Sequence, residues 1–369
     1  MWKVVLVDVV LVAPRNTKSD DLVALHISKI SARNRLIRDS WELPTDPEDC
    51  DMPTDVVIFR KLREKWHHLQ KDEDSDNEDG DEKVEEIAFI IGDFGAEVEA
   101  QLKKVAADLG AKGSIYHQDE ALGTAHAIYC AEQSLEGKVI VAFADTLFKT
   151  DFKLDTETDG IIWVKQIEDP RQFGVVKLDS NNVITDFVEK PEEFVSDLAI
   201  IGIYYFKDGA ALKAEIKYLL DNDIKDKGEY QLTNALENLK IKGAKFKPGQ
   251  VDQWMDCGNK NVTVQTNSQV LENNKDKNWV DASVKTTNSL IIPPCYIGKG
   301  VELNNSIVGP HVSIGDGCKI ENSLIKASIV QTETTLNNVI MENSMVGNHV
   351  ILDEEVKQLS IGDYSTTGK

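Results

Sequence analysis

The C-terminal part of the chain places an aliphatic residue at every sixth position. Small or polar residues fill the positions between, and glycine follows the aliphatic residue in IG, VG and IG. An antiparallel strand would instead alternate with a period of two. A six-residue period is typical of a parallel β-helix, in which one aliphatic side chain per side stacks inward on each coil. The aliphatic positions form two runs: Ile291, Ile297 and Leu303, then Val308, Ile314 and Ile320.

Short asparagine–serine segments recur in the same region. They are NSIVG (305–309), NSLIK (322–326) and NSMVG (343–347), at intervals of 17 and 21 residues. Three or so coils would bury a core of their own. The pattern predicts a β-helix over 281–360, followed by a short tail at 361–369.

The first 82 residues differ in composition from the rest of the chain. All 23 glycines lie at residue 80 or later. The chain opens with a strand-like run at 3–13, but no glycine follows it, although a turn that admits phosphates to the backbone needs one. Eight of the twelve residues at 71–82 are acidic, which is typical of a solvated linker. We therefore treat 1–82 as an atypical N-terminal segment.

Strand and helix patterns alternate from Lys83 onward. Short buried runs alternate with amphipathic stretches, which favours a parallel α/β sheet. Several strands then follow one another before two helices, at 209–221 and 229–240. The sequence therefore predicts an α/β domain with a mixed sheet over 83–280.

The overall charge limits the partners. A net charge of −22 disfavours nucleic acid and anionic membrane surfaces. An anionic ligand would need a local basic or metal site. The longest apolar run, at 4–13, is too short to span a membrane. Five scattered cysteines without CxxC spacing suggest neither a disulfide framework nor a zinc site, and a cytoplasmic location fits best.

Four short stretches of the α/β region carry candidate chemistry. QDEALGTAHA (118–127) predicts a strand end, a glycine turn and a helix start. AFAD (142–145) ends a buried strand in an acid, which could bind Mg²⁺ or cap a helix. EKP (189–191) follows a strand and could equally be a surface turn. WMDCG (254–258) places Asp256 before a glycine turn, again as a cap or a metal ligand.

In this order the motifs resemble those of the sugar-1-phosphate nucleotidyltransferases, of the glucose-1-phosphate thymidylyltransferase type. The resemblance covers about residues 83 to 360. It rests on VEEIAFIIGDFGAEVEAQL, QDEALGTAHA, VAFADTLF, EDPRQFGVVKLD, FVEKP, AIIGIYYF, GEYQLTNAL, WMDCGN and the repeat tail. It implies a Rossmann-like mixed-sheet nucleotidyltransferase domain followed by a left-handed parallel β-helix.

The resemblance also implies a reaction and the residues that perform it. A nucleoside triphosphate and a sugar 1-phosphate would give an NDP-sugar and pyrophosphate, with Mg²⁺ as cofactor. Asp145 and Lys190 would be catalytic, and Asp145 with Asp256 would hold the metal. The nucleotide would contact Gln118 and Gly123. The sugar phosphate would lie against Gly174, Glu189, Lys190 and Gly202.

The family's phosphate loop, of the form G-x-G-[TS]-R, is missing from residues 1–82. Three explanations stay open: divergence to a chain that binds sugar phosphate or sugar nucleotide without transfer, a fusion, and a reading-frame error. The segment LVDVVLV (6–12) can be encoded by codons that read Gly-Arg-Gly-Ser-Arg in another frame. We expect that 1–82 is not the family's native front, which the coding DNA would test.

A less favoured alternative is a β-helix acyltransferase. Such enzymes use a histidine as base, and the repeat region offers His311 and His349. Both lie in turn-like contexts typical of surface residues. We expect instead a structural role for the β-helix, packing subunits into a homo-oligomer.

Overall fold

The computed structural model describes residues 2–7, 84–149 and 155–356. The chain divides into two compact units, and the described residues of the first run up to Val262. We call this unit the α/β domain. The described residues of the second unit begin at Thr263, and we call this unit the β-helix domain. The boundary lies nearer the N-terminus than the predicted one at 280.

The α/β domain is built on a nine-stranded mixed sheet. Seven strands follow the order β10-β6-β9-β4-β1-β2-β3, and β7 and β8 form a hairpin attached to β9. Strand β9 runs antiparallel to β4 and β6, whereas β4, β1, β2 and β3 are parallel neighbours. The nine strands are β1 (Trp2–Val7), β2 (Val84–Ile91), β3 (Lys112–His117), β4 (Lys138–Phe143), β6 (Gly160–Gln166), β7 (Gly174–Leu178), β8 (Ile184–Glu189), β9 (Leu198–Phe206) and β10 (Phe246–Gln250). Two further strands, β5 (Thr146–Lys149) and β11 (Gln253–Asp256), form a separate two-stranded sheet.

Helices cover both faces of this sheet. They are α1 (Ala96–Asp108), α2 (Thr124–Cys130), α3 (Gly209–Asp221), α4 (Leu232–Ile241) and α5 (Lys260–Asn273), which continues into the second unit. Alternate residues of the strands point to opposite faces of the sheet and contribute to two separate hydrophobic cores. Val5 and Val141 pack with α2, α3 and α4, whereas Leu6 and Phe89 pack with α1. Burial on both faces explains why these strands are almost continuously apolar.

Strand β1 lies inside the sheet, between β2 and β4. Val4 pairs with Ile87 on one side and with Ile140 on the other, in parallel register. The first residues of the N-terminal segment therefore belong to the α/β domain, and the division predicted at residue 83 does not separate them from it. The rest of the predicted strand at 3–13 and the acidic linker at 71–82 lie outside the described residues.

The β-helix domain consists of three parallel ladders. The strands are β12 (Lys285–Thr287), β13 (Leu290–Ile291), β14 (Cys295–Ile297), β15 (Glu302–Asn304), β16 (Ile307–Val308), β17 (Val312–Ile314), β18 (Lys319–Glu321), β19 (Leu324–Lys326), β20 (Ile329–Val330), β21 (Thr335–Asn337), β22 (Ile340–Glu342), β23 (Met345–Val346) and β24 (Ile351–Asp353). Leu303 stacks on Ile320 and Ile320 on Leu336, all fully buried. The predicted Rossmann-like sheet followed by a left-handed parallel β-helix is confirmed as the fold class.

The asparagine–serine repeats form corners of the coils. Asn305 and Asn322 take left-handed backbone angles, φ 49° and 48°, which asparagine tolerates better than most residues. The Ser306 hydroxyl accepts a hydrogen bond from the backbone N–H of Ser323, at 3.1 Å, one coil later. NSMVG lies at a different corner, because Met345 pairs with Ile329 of a neighbouring ladder. Of the two intervals between these repeats, 17 and 21 residues, only the first therefore corresponds to one coil of the β-helix.

Membrane insertion through a helix finds no support in the described part of the chain. No helix there is both long enough and apolar enough to cross a bilayer.

Candidate functional site

The candidate site lies at the carboxyl edge of the parallel strands. Gln118 follows β3 and donates its backbone N–H to Ile91, while Asp145 follows β4. Strands β2 and β1 separate these two strand ends, so they lie roughly 14 Å apart at about 4.8 Å per strand. In open α/β sheets, ligands bind outside this edge.

Asp145 and Asp256 converge on one backbone position. Strand β11 pairs antiparallel with β5, which places Asp256 opposite Thr146, and the Cys257 N–H donates to the Asp145 carbonyl at 2.9 Å. A Cβ built on Gly258 would lie 3.1 Å from Asp145 Oδ2 and 3.2 Å from Asp256 Oδ1. The two predicted metal ligands, far apart in sequence, therefore face the same point.

The donor chemistry at this point fits a hard divalent cation. Two carboxylates supply oxygen ligands, and Mg²⁺ is commonly held by one or two carboxylates together with substrate phosphates and water. Among the described residues no group of three histidine, cysteine, aspartate or glutamate side chains surrounds a common point. A cation here would therefore rely on its substrate for the remaining ligands.

Gly123 fixes the loop that follows Gln118. Its φ is +113°, and a Cβ there would lie 2.5 Å from the Tyr230 carbonyl oxygen. Tyr230 donates its N–H to Leu122 and accepts from Ala125, so the loop and the segment before α4 are hydrogen-bonded together. Thr124 Oγ1 accepts from the first N–H of α4, at 2.9 Å. Glycine is required here by both the close approach and the backbone angle.

A second cluster lies where β7 pairs with β8. Gly174 is opposite Glu189, and a Cβ on Gly174 would lie 3.0 Å from Glu189 Oε2. Thr233 Oγ1 donates to that oxygen at 3.1 Å, and the Lys190 ammonium lies 3.8 Å from Oε1. Burial raises the pKa of Glu189, opposed by the charge of Lys190 and the Thr233 hydrogen bond. The pocket therefore holds a carboxylate that has lost much of its hydration.

Lys227 adds a second cation to this cluster. Its ammonium donates to the backbone carbonyls of Lys190 and, at 3.4 Å, of Glu189. Lys190 itself has φ 41° and donates its N–H to Phe173. Lys227 was not predicted from the sequence, where its position just before the Gly228 turn is the local signal that could have marked it.

Gly202 and Tyr204 lie between the two clusters on β9. Gly202 has φ +85°, and a Cβ there would lie 3.2 Å from Thr146 Oγ1. Burial raises the pKa of the Tyr204 hydroxyl, and the carboxylates of Glu189 and Asp145 raise it further. Tyr204 therefore lies within the electrostatic influence of both Asp145 and Glu189. It was also missed, because its strand is uniformly apolar.

The histidines of the β-helix domain have other surroundings. His311 Nε2 lies 3.1 Å from Glu272 Oε2 of α5, and His349 is exposed. Neither belongs to the cluster of site residues described above, which lies in the α/β domain.

Comparison with known proteins identifies the family. The nucleotidyl transferase family model matches residues 80–273. A glucose-1-phosphate thymidylyltransferase of Streptomyces antibioticus is 28% identical over 76% of this chain and 86% of the relative. The catalytic subunit beta of a Drosophila melanogaster mannose-1-phosphate guanylyltransferase is 31% identical over 36% and 38% of the two chains. A Bacillus anthracis crystal structure, titled as a candidate glucose-1-phosphate thymidylyltransferase with sucrose, has a TM-score of 0.49 and 17% identity, over 76% of this chain and 98% of that one.

Proposed function

The chain belongs to the nucleotidyl transferase family, and from that premise we propose that it transfers a nucleotidyl group from a nucleoside triphosphate to a sugar 1-phosphate. An oxygen of the sugar phosphate attacks the α-phosphorus, the bond to the β-phosphate oxygen breaks, and pyrophosphate leaves. The supporting relatives are named for this activity with two different bases and sugars. The observation that carries the proposal is the convergence of Asp145 and Asp256 on Gly258.

The geometry suggests a role for each part of the site. Asp145 and Asp256 would hold Mg²⁺, which when bound neutralises charge on the phosphates. Gln118 and Gly123 lie at the far end of the strand edge, where the base would be read. Glu189, with Gly174 beside it, would accept hydrogen bonds from sugar hydroxyls. Phosphoryl transfer mainly requires that the two substrates are correctly positioned and that the negative charge on their phosphates is neutralised.

Lys190 and Lys227 would hold the phosphate of the sugar. The chain is strongly acidic, so an anionic substrate needs such local cations. Both ammonium groups lie beside Glu189: that of Lys190 is 3.8 Å from its Oε1, and that of Lys227 donates to its backbone carbonyl. A side chain in place of Gly202 would approach Thr146 Oγ1 and Phe143.

A pyrophosphate-release assay on the full chain tests the proposal. With Mg²⁺, a sugar 1-phosphate and each of dTTP, UTP, GTP and CTP, we expect release with at least one triphosphate. Asp145→Asn and Asp256→Asn should each lower the rate by roughly 10² to 10³, the cost of losing a charge-stabilising group. Asp252→Asn is the matched control, because that side chain is exposed and lies close to Asp256 in sequence.

A chain that binds sugar phosphate or sugar nucleotide without transfer is the second candidate. It is favoured by the absence of glycine before residue 80, where the family's phosphate loop would lie. Calorimetric binding of a sugar 1-phosphate without pyrophosphate release would support it and would contradict the transfer reaction.

We also propose that the protein works in a reducing cytoplasm. The four described cysteines are free, and burial raises the pKa of Cys295 and Cys318 to about 11. Inert buried thiols suit a reducing cytoplasm. A homo-oligomer packed through the β-helix stays an expectation.

A further inference from the structure

The three ladders of the β-helix differ in the side chains that they turn outward. The ladder that contains β15 turns mainly polar groups outward, and along it Lys285 donates to Glu302 at 2.9 Å. The ladder that contains β17 packs against helix α5, where the Ser313 hydroxyl donates to Asn267 Oδ1 at 2.7 Å. The third ladder, β13-β16-β19-β22, turns outward a set of large aliphatic side chains, which we call the aliphatic row: Leu290, Ile307, Leu324 and Ile340.

The side chains of the aliphatic row are in register. Leu290 pairs with Ile307, Ile307 with Leu324, and Leu324 with Ile340. Adjacent strands lie about 4.8 Å apart, so the row is roughly 14 Å long. The exposed fractions are 55%, 40%, 41% and 83% in chain order. Single exposed aliphatic residues are common, but a continuous line of them is typical of a surface that another molecule covers.

Polar groups border the aliphatic row on both sides. The corner before it carries a ladder of asparagine side chains, in which Asn288 bonds to Asn305 and Asn305 to Asn322. On the other side Lys326 donates to Glu342 at 2.7 Å. An apolar centre with a polar rim is the usual anatomy of a protein interface. These rim side chains carry no net charge together, although the whole chain carries −22.

This charge balance favours a second copy of the chain as the partner. Two chains of net charge −22 repel each other, so they approach most easily where local charges cancel, as those of Lys326 and Glu342 do. A two-fold axis in the plane of the face would bury the same row on both copies, as a closed dimer requires. A three-fold ring would need a second, different patch, and neither of the other two ladders carries such an exposed row among the described residues.

We propose that the aliphatic row is a dimer interface, at which two copies of the chain meet face to face about a two-fold axis. A standard interface buries about 800 Å² per partner. A row roughly 14 Å long is a small centre for such an interface, so we expect a weak dimer with a Kd in the micromolar range. This interface is independent of the proposed function and would form whether or not the chain transfers a nucleotidyl group.

Sedimentation equilibrium on the full chain tests the interface. Between about 1 and 100 μM, the wild type should pass from monomer to dimer. Leu324→Glu places a charge at the centre of the row and should raise the Kd at least about 10-fold. Ile351→Glu is the matched control and should dimerise as the wild type does. Ile351 is as exposed as Ile340, at 83%, but lies on the mainly polar ladder.

An equimolar mixture of Leu324→Glu and Leu324→Lys tests whether the same row lies on both sides of the interface. Each variant alone should be monomeric at a concentration where the mixture forms dimers, because the mixture brings opposite charges together. Thermal unfolding checks that both variants fold, as expected because Leu324 points outward while Ile325 beside it is fully buried. If either variant did not fold, Ile307→Glu and Ile307→Lys would replace the pair.

Several outcomes would overturn the proposal. A wild-type chain that stays monomeric at about 100 μM would mean that the row is covered within one chain or not at all. Trimers would contradict the two-fold arrangement, as would a mixture of the charged variants that stays monomeric. A dimer that Leu324→Glu leaves unchanged would form through another surface.

Discussion

The α/β domain and the β-helix domain both use left-handed backbone angles, but in different settings. In the β-helix, Asn288, Asn305 and Asn322 repeat the same corner once per coil. Their side chains also bond to one another, Asn288 to Asn305 at 2.9 Å and Asn305 to Asn322 at 3.3 Å. In the α/β domain, Gly123 and Gly202 take such angles once each, in contact with neighbouring chain.

The difference extends to the polar groups. The Ser306 hydroxyl of the β-helix both donates, to Asn304, and accepts, from Ser323. At the site, the Glu189 side chain is 10% exposed and its pKa is raised, and the Gln118 amide donates to the Gly123 carbonyl. In the repeat these hydroxyl and amide groups therefore bond to their equivalents one coil away, whereas Glu189 and Gln118 are held by contacts made only once, with Thr233 and with Gly123.

The largest effect is expected from exchanging a glycine of the site. Gly123→Ala places a Cβ against the Tyr230 backbone and should cost about 3 kcal/mol, because backbone must move and the angle is strained. Nucleotide affinity should fall about 100-fold as the loop shifts. Thermal unfolding and calorimetry measure both quantities.

Gly300→Ala in the β-helix is its matched control. Gly300 has φ +67° but nothing within 4 Å of an added Cβ, so only the backbone angle is penalised, by about 1–2 kcal/mol. Nucleotide affinity should not change. Equal losses of affinity in the two variants would break the comparison.

An intermediate loss of stability is expected from the serine ladder, in which Ser289 and Ser306 each accept a hydrogen bond from the backbone N–H of the serine one coil later. Ser306→Ala leaves the Ser323 N–H unpaired in a buried corner and should cost about 1–3 kcal/mol. Ser289→Ala removes the equivalent bond to Ser306, but at a half-buried position where water can replace it, and should cost less. Chemical denaturation would show the order, and the opposite order would mean that burial does not set the strength of the ladder.

The smallest effect is expected from the buried glutamate. Because its pKa is raised in the folded state, ionised Glu189 lowers stability once the pH exceeds its unfolded value of about 4.5. Glu189→Gln should therefore raise Tm by about 1–3 °C at pH 7, and this gain should vanish toward pH 4. Sugar-phosphate binding should be lost in the same variant.

Melting curves between pH 4 and pH 8 measure the effect of Glu189→Gln. The exposed Glu192→Gln serves as control and should follow the wild-type profile. A variant less stable than wild type at pH 7 would show that the Thr233 hydrogen bond outweighs the burial of the charge.

Much of the fold could be predicted from sequence patterns that extend over only a few neighbouring residues. The six-residue period located Ile314 and Ile320 in the β-helix core, and apolar runs located the strands of the sheet. Tyr204 and Lys227 were missed, since one lies in an apolar strand and the other beside an ordinary turn. The roles of Gln118 and the other predicted site residues stay predictions.

The sequence by itself determined the repeat, the succession of strands and helices along the chain, and the acid that follows β4, because side-chain period and backbone preference act between near neighbours. Only the tertiary structure decided that β11 pairs with β5 and so brings Asp256 to Asp145, and that β1 enters the sheet between β2 and β4. Such pairings depend on register and packing between segments far apart in the chain, and neither segment encodes its partner.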